Sequence, residues 1–112
     1  MKSDLSSKHC ESCEGIGASL NSEQITNLMP QLDKSWTVSQ DNLMIKRNFS
    51  FKNFYETMAF VNAIAWIANI ENHHPDLEVG YNYCRVSFTT HALNGLSHND
   101  FICAAKIDGM LV

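Results

Sequence analysis

The chain has 112 residues, which fits one domain, and its net charge is −4, from 8 Lys and Arg against 12 Asp and Glu. Hydrophobic residues make up 45% of the chain and charged residues 18%, which is typical of a globular protein and not of a disordered one. Lys and Arg form no cluster, and no apolar run reaches the ~18 residues of a membrane span, so direct nucleic-acid binding and a membrane location are both disfavoured. The first residues lack a signal-peptide core, so we expect a cytoplasmic protein with free thiols.

The first part of the chain predicts a tail. Residues 1–21 are rich in Ser and Gly and show no sustained periodicity, so we expect a partly disordered N-terminal tail ahead of a single domain over residues 22–112. The tail contains Cys10 and Cys13 with His9 beside them. A structural zinc needs four ligands, so this group is at most half of a zinc site. A thioredoxin-like role is disfavoured because no strand precedes the pair.

The first half of the domain alternates between helix and strand signals. Ser22 is a capping residue, and the apolar spacing after it predicts a short helix. Alternating polarity in residues 36–38 and 43–49 predicts an antiparallel hairpin. Asn53 can cap a long helix that runs to about Asn72. We expect this helix to cover the sheet with the apolar residues spaced by three and four: Phe54, Met58, Val61, Ile64, Ala65, Ile67 and Ala68.

The second half repeats the strand pattern and ends in a helix. Residues 77–81 and 85–89 alternate and predict two more strands. Ser97, with Asp100 three residues later, resembles a capping box at the start of a last amphipathic helix. The order is therefore helix, two strands, long helix, two strands, helix. This order predicts an α+β fold, a four-stranded antiparallel sheet with helices packed on one face.

Three of the five histidines, His73, His74 and His91, are the candidate catalytic residues. Pro75 disfavours helical geometry at His74, so the adjacent pair falls at the end of the long helix or in the loop after it. His91 lies just past the fourth strand, and the three could line one cleft if that strand end lies near the loop. Imidazole suits proton transfer near neutral pH. The alternative is that the His-His-Pro segment is a solvated turn.

A metal site is a further alternative. The three histidines with Asp76 or Asp100 could bind zinc, which would indicate a metal-dependent hydrolase and stoichiometric zinc in the purified protein. However, no His-Glu-x-x-His motif is present, and no second histidine follows the first at helical spacing. Cys84 and Cys103 are isolated and are expected to be buried free thiols.

The spaced motif of His73-His74-Pro75, Tyr81, His91 and Asp100 resembles the signature of the pterin-4a-carbinolamine dehydratase family. Residues 94–101 resemble the segment that leads into the last helix of the family. Residues 49–54 resemble the entry to its long helix, and the His-Cys-x-x-Cys segment is similar to the start of bacterial members. The family often has an acidic residue four positions before the first histidine, where this chain has Asn69, and Glu71 is nearby but out of register.

The resemblance implies a dehydratase that converts a 4a-hydroxytetrahydropterin to the quinonoid dihydropterin and so recycles the cofactor of aromatic amino acid hydroxylases. Hydroxide leaves as water only if an acid protonates it, and a base must take the proton of the neighbouring ring nitrogen. We assign His74 and His91 to these two roles in either order, and His73 to binding or polarising the pterin. Four further residues are expected to bind the pterin or to orient a histidine: Asn72, Tyr81, Thr90 and Asp100.

The resemblance also bears on cofactors and partners. It implies no metal and no organic cofactor, a pterin substrate, and a homodimer or tetramer. Animal members also bind a homeodomain transcription factor, so a non-catalytic protein-binding module or transcriptional coactivator on the same fold is the alternative function. The intact histidine set favours the enzyme.

Overall fold

Four strands and three α-helices form the part of the chain that a computed structural model describes, residues 4–12 and 17–111. Short 3-10 turns occur at Asp4–Ser7, Met29–Gln31 and His91–Leu93. No helix in this part of the chain has both the length and the apolar content to cross a bilayer. The α-helices and strands, in chain order, are α1 (Ser22–Leu28), β1 (Thr37–Val38), β2 (Ile45–Ser50), α2 (Phe54–Glu71), β3 (Asp76–Val79), β4 (Tyr83–Phe88) and α3 (His98–Gly109).

The strands form one antiparallel sheet in the order β1-β2-β4-β3. Six residues of β2 pair with β4, from Ile45 opposite Phe88 to Ser50 opposite Tyr83, and these two strands form the centre of the sheet. The predicted α+β class with a four-stranded antiparallel sheet is confirmed. This order brings the carboxyl end of β4, where Thr90 and His91 follow, next to the amino end of β3, which follows the His-His-Pro loop.

The core lies between one face of the sheet and the helices. Alternate residues of the central strands point into it, as the polarity pattern predicts: Ile45, Phe49, Cys84, Val86 and Phe88. Nearly all of α3 is buried behind them, including Phe101 and Ile107, which have no exposed surface. Burying a side chain of this size stabilises the fold by about 1.5–3 kcal/mol. The amino end of α3, which carries Asp100, is therefore fixed by the core.

Helix α2 begins where predicted but turns a different face inward. Asn53 caps it, because its side chain accepts the Glu56 N–H at 2.9 Å. The predicted inner face is partly wrong, because Phe54 is 51% exposed and Ala65 is also exposed. Apolar side chains occur on most sides of this helix, so spacings of three and four fit more than one face. The buried stripe consists of Thr57, Phe60, Ile64, Ala68 and Glu71.

The predicted cap of α1 is displaced by one residue. Asn21, not Ser22, is the capping residue, because its side chain accepts the Gln24 N–H at 2.9 Å. The Gln24 side chain in turn accepts the Asn21 N–H at 2.8 Å, which completes a capping box. Ser22 is the first helical residue. Both residues are good caps, and only the reciprocal bond with Gln24 distinguishes them.

Residues 4–12 form a segment that we call the N-terminal arm. Leu5 lies in the hydrophobic core with 1% of its surface exposed, and the Lys106 ammonium donates to the Ser6 carbonyl at 2.9 Å. The arm therefore packs along α3. Cys13, the second cysteine of the Cys-x-x-Cys pair, lies outside the described residues, and the boundary drawn at residue 22 stays a prediction.

Candidate active site

The end of α2 directs two adjacent histidines in different directions. Asn72 has left-handed backbone angles, φ 51° and ψ 43°, which asparagine tolerates better than most residues. The N–H groups of Asn72 and His73 both donate to the Ala68 carbonyl and close the helix. His73 is then turned into the protein, with 9% of its surface exposed, whereas His74 before Pro75 is exposed.

A buried carboxylate joins residues from three parts of the chain. Asp100 has no exposed surface, and its Oδ1 lies 2.6 Å from His73 Nε2. Its Oδ2 accepts the Thr90 hydroxyl and the Ser97 N–H, each at 2.9 Å. Thr90 and Ser97 both donate to Oδ2, and an ionised carboxylate can only accept, so with Asp100 ionised the proton between Oδ1 and His73 Nε2 is on the imidazole. We call His73, Thr90, Ser97 and Asp100 the Asp100 network.

Both hydroxyl groups of the Asp100 network are also hydrogen-bonded. The Thr90 hydroxyl gives its proton to Asp100, so Ser97 Oγ, 2.8 Å away, must donate to Thr90. The Ser97 hydroxyl accepts the Asn99 N–H at 3.2 Å. The His73 ring also stacks on Phe88 with 5.9 Å between ring centroids. Because its carboxylate oxygens and hydroxyl groups are all hydrogen-bonded, this buried network holds its members in one geometry.

The other two histidines are exposed, and each follows a member of the Asp100 network. His74 follows His73, and His91 follows Thr90. Within the described residues neither imidazole has a hydrogen-bond partner, so the two nitrogens of each ring are free for a substrate. Because His73 and Thr90 bind the two oxygens of one carboxylate, the chain is fixed immediately before each exposed histidine.

The turn that carries His91 is fixed from its other side as well. The Thr90 N–H donates to the Gly95 carbonyl at 2.8 Å, and the two residues form an isolated β-bridge. Between them the 3-10 turn that starts at His91 is closed by Asn94, which has a left-handed backbone with φ 51°. His91 therefore lies in a short closed loop and not in a long mobile one.

Two of the predicted binding residues do not touch the Asp100 network. Asn72 is exposed and serves as the carboxyl-terminal cap of α2. Tyr81 is 63% exposed, stacks on Phe54 at 6.5 Å between ring centroids, and accepts the Thr57 hydroxyl on its carbonyl. Their roles toward a pterin stay predictions. Asp100 makes both contacts that were weighed for it, with the capping position of α3 and with a histidine.

The sequence reasoning missed the partners of Glu71. This carboxylate is buried and accepts the Cys10 N–H at 2.7 Å on Oε1, with His9 Nδ1 2.9 Å from Oε2. Burial acts to raise the pKa of Glu71, but these hydrogen bonds and the nearby Lys106 charge outweigh it and hold the pKa below its ordinary value. The available signal was an acidic residue at helical spacing from Ile64 and Ala68, which are buried in the same stripe.

Cys10, Cys84 and Cys103 are free cysteines, and the pKa is raised at two of them. Cys10 Sγ lies 3.5 Å from Cys103 Sγ, and this contact together with burial raises the pKa of the Cys10 thiol. Burial likewise raises the pKa of Cys84. Within residues 4–12 and 17–111, no three His, Cys, Asp or Glu side chains are grouped closely enough to hold a metal ion.

The open face of the sheet carries a shallow depression of about 650 Å³. Its lining includes both signs of charge, and none of the three candidate histidines contributes to it. The depression therefore does not mark the site that the Asp100 network supports. Its lining residues are Ser35, Thr37, Met44, Lys46, Arg47, Asn48, Asp76, Glu78, Arg85 and Ser87.

Comparison with known proteins agrees with the resemblance in the sequence. The family model described as pterin 4 alpha carbinolamine dehydratase matches residues 18–110. A Legionella pneumophila (strain Corby) protein, provisionally named pterin-4-alpha-carbinolamine dehydratase, is 84% identical over 112 residues, covering 100% of this chain and 99% of the relative. A Nitrosomonas eutropha protein with the same provisional name is 54% identical over 109 residues, covering 97% and 95%.

A solved structure supports the same assignment. The crystal structure of a transcriptional coactivator/pterin dehydratase from Brucella melitensis superimposes with a TM-score of 0.77 and 28% sequence identity, covering 82% of this chain and 97% of that one. The family model spans most of the chain, and the two relatives match along nearly their whole lengths. The chain therefore belongs to the pterin carbinolamine dehydratase family.

Proposed function

We propose that this protein is a dehydratase that removes water from a 4a-hydroxytetrahydropterin and releases the quinonoid dihydropterin. The proposal is supported by family membership and by the names of the relatives. It is also supported by the hydrogen bond of His73 to a buried carboxylate, and by two exposed histidines that each follow a residue bonded to that carboxylate. A finer part of the proposal is that the product re-enters the cofactor cycle of an aromatic amino acid hydroxylase.

The reaction needs one proton given and one proton taken. The carbon–oxygen bond at the carbinolamine carbon breaks as an acid protonates the departing hydroxyl, and water leaves. The proton on the neighbouring ring nitrogen goes to a base, and its electron pair forms the new carbon–nitrogen double bond. Two imidazoles can perform both transfers, each contributing ~10²–10⁴-fold. We assign these transfers to His74 and His91, the exposed members of the set.

The main support for this assignment is the way in which the chain is attached to Asp100 immediately before each of the two exposed histidines. Each follows a residue that is hydrogen-bonded to one oxygen of that carboxylate, at 2.6 Å for His73 and 2.9 Å for Thr90. The backbone that carries the unpaired ring nitrogens of His74 and His91 is therefore held in place. Fixing two catalytic groups before the substrate arrives reduces the entropy lost in the transition state.

His73 has a different part in the proposal. Its Nε2 is occupied by Asp100, so only Nδ1 remains for the pterin. In the neutral imidazole with its proton on Nε2, Nδ1 is an acceptor and can take a hydrogen bond from an N–H group of the pterin ring. This assigns His73 to binding and to polarising the ring, and not to the main proton transfers.

The test is a dehydration assay on chemically prepared 4a-carbinolamine with three single variants. His74→Ala and His91→Ala should each lower kcat by about 10²-fold or more. His73→Ala should raise KM at least as much as it lowers kcat. Thermal unfolding of the same proteins separates a catalytic loss from a folding loss. Folded His74→Ala and His91→Ala proteins with wild-type kcat would show that the catalytic assignment is wrong.

A proposed homodimer or tetramer accompanies this function. Helix α2 exposes large apolar side chains on the side away from the core, with Tyr55 83% and Trp66 70% exposed. Exposed apolar residues on one face are typical of association surfaces. Sedimentation velocity at micromolar concentration should give a species larger than one chain. A monomer there would contradict the proposal.

The same exposed residues favour one alternative function, a protein-binding module. The Brucella melitensis structure is described as a coactivator as well as a dehydratase. If the protein bound a partner through α2 and had no catalytic role, Trp66→Ala would weaken that binding, and the wild-type protein would not accelerate dehydration. Acceleration by the wild-type protein decides for the enzyme.

A further inference from the structure

Two residues that flank the Asp100 network are both bound by the N-terminal arm. Glu71 lies two residues before His73, and Asn99 lies immediately before Asp100. Both side chains are buried, with 4% of the Glu71 side chain and 3% of Asn99 exposed. The two halves of the His73–Asp100 hydrogen bond thus come from helix ends that contact the same segment.

Besides the side-chain contacts of Leu5, His9 and Cys10, the arm is held by three hydrogen bonds of its backbone. Glu71 Oε1 accepts the Cys10 N–H at 2.7 Å. At the next residue, Asn99 Oδ1 accepts the Glu11 N–H at 3.0 Å, and Asn99 Nδ2 donates to the Glu11 carbonyl at 2.7 Å. The amide of Asn99 therefore pairs with the arm as a neighbouring strand would. These contacts do not depend on which side chains the arm carries at positions 10 and 11.

Because Glu71 is a buried charge, its loss of contact with the arm would be energetically costly. A buried carboxylate without partners is costly, and Glu71 has its partners in the arm and in Lys106, whose Nζ lies 3.8 Å from Oε2. If the arm moved away, Glu71 would have to reach water, and the end of α2 would move with it. The end of α2 carries His73, and the start of α3 carries Asp100.

We propose that the N-terminal arm positions the active site by joining the end of α2 to the start of α3, with Glu71 and Asn99 as positioning residues. They touch neither the proposed substrate nor the reacting atoms. Their effect is to keep His73 Nε2 within hydrogen-bond distance of Asp100. The catalytic part of this proposal rests on the proposed dehydratase function, whereas the positioning part concerns the free protein.

The first measurement therefore needs no substrate. In the ¹⁵N-labelled full chain, the proton on His73 Nε2 is shared with a buried carboxylate at 2.6 Å, so it should give a downfield NMR signal that exchanges slowly with water. Glu71→Ala and Asn99→Ala should speed this exchange by about tenfold or more, because each opens one attachment of the arm. Glu71→Gln keeps the volume and one acceptor for Cys10, so it should lie between Glu71→Ala and wild type.

Two matched controls separate positioning from general loss of stability. Asn21→Ala removes the cap of α1, lowers global stability, and contacts neither the arm nor the Asp100 network. Cys10→Ser keeps the backbone N–H that Glu71 accepts. Both should leave the exchange of the His73 proton within about twofold of wild type. If Asn21→Ala speeds it as much as Glu71→Ala does, the arm has no specific role and the proposal is overturned.

The second measurement is kcat and KM for the same variants in the dehydration assay. Glu71→Ala and Asn99→Ala should lower kcat by about tenfold, because a misplaced group is less effective in the transition state, and Glu71→Gln should recover part of it. A wild-type protein without dehydration activity would overturn the proposed function. The exchange rate of the His73 proton would still test whether the arm positions His73 and Asp100. If the wild-type protein is active but Glu71→Gln and Asn99→Ala leave the exchange of the His73 proton unchanged, only the positioning role is overturned.

Discussion

Replacing Asp100 by Asn tests the buried network while changing almost no volume. The carboxylate faces three donors, His73 Nε2, the Thr90 hydroxyl and the Ser97 N–H, at 2.6, 2.9 and 2.9 Å. An amide offers one acceptor oxygen. If that oxygen takes the place of Oδ2 and keeps Thr90 and Ser97, the amide nitrogen opposes the proton on His73. His73 can then accept at Nε2 only by moving its proton to Nδ1.

The magnitude follows from the bonds lost. A hydrogen bond to a charged group contributes about 1.5–3 kcal/mol, and the two bonds that survive in the Asp100→Asn protein become neutral and weaker, so we expect a loss of about 3 kcal/mol. For a domain of this size that corresponds to a fall in Tm of roughly 12 °C. In the protein that remains folded, the proton on His73 Nδ1 faces the proposed pterin position. We expect kcat to fall by about 10²-fold.

The chain contains a matched control on the same helix. Asp108 also accepts three hydrogen bonds, from Arg47 Nη1 at 2.7 Å, Trp36 Nε1 at 2.8 Å and the Asp33 N–H at 3.0 Å. Asp108→Asn should lower Tm by a comparable amount and leave kcat within about twofold of wild type. The assay is dehydration of 4a-carbinolamine with the uncatalysed rate subtracted, beside calorimetric Tm. Equal losses of kcat in the two variants, or wild-type kcat in folded Asp100→Asn, would show that Asp100 has no specific effect on catalysis.

Four further predictions concern titration, reactivity and metal. If His74 and His91 are acid and base, kcat/KM should follow a bell-shaped pH profile, and a single sigmoid in the wild-type protein would count against the pair. Contact with Cys103 raises the pKa of the Cys10 thiol, so its alkylation by iodoacetamide at pH 7 should be much slower than that of glutathione; mass spectrometry showing equal rates would contradict this. The pKa of Glu71 is lowered on folding from an ordinary value of 4.5, so Glu71 stabilises the fold above about pH 4.5 and this contribution is lost as the pH falls through the lowered value. Acid unfolding should therefore show a smaller pH dependence in Glu71→Gln than in wild type. Dehydration activity should survive exhaustive chelation, and a loss that zinc restores would show that a metal takes part.

Local signals in the sequence predict much of the fold. The caps at Asn53 and Ser97 depend on residues three positions away, so they can be read from the sequence, and both are present. The alternation that buries Val86 and Phe88 is equally local. At the start of α1, two adjacent capping residues compete, and the reciprocal bond that selects Asn21 over Ser22 depends on the geometry of the chain entering the helix.

Contacts between distant residues lie beyond such signals. The inner face of α2 is not determined by periodicity, because Phe54 and Trp66 are as apolar as the residues that are buried. The attachment of Cys10 to Glu71 joins positions 61 residues apart. The burial of Glu71 at the end of this face also depends on a distant contact, because a buried carboxylate needs a partner such as the Cys10 N–H.

In the candidate site, too, local features follow from the sequence and contacts between distant residues do not. The position of His74 at a helix end follows from Pro75 alone. That His73 and Thr90 bind opposite oxygens of Asp100 does not follow from their spacing, and a link between this carboxylate and one of the histidines, not specified which, was expected only through the family resemblance. The structure adds Phe88 beneath the His73 ring and the hydroxyl of Ser97, neither of which the sequence reasoning had placed in the site.

Stopped-flow absorbance of freshly generated 4a-hydroxytetrahydropterin measures whether this protein catalyses the proposed loss of water from a pterin carbinolamine. With the wild-type protein we expect the rate of quinonoid dihydropterin formation to rise in proportion to protein concentration, to saturate with substrate, and to fall to background in the His74→Ala, His91→Ala double variant. A rate equal to the buffer background at every concentration of folded wild-type protein would contradict the account.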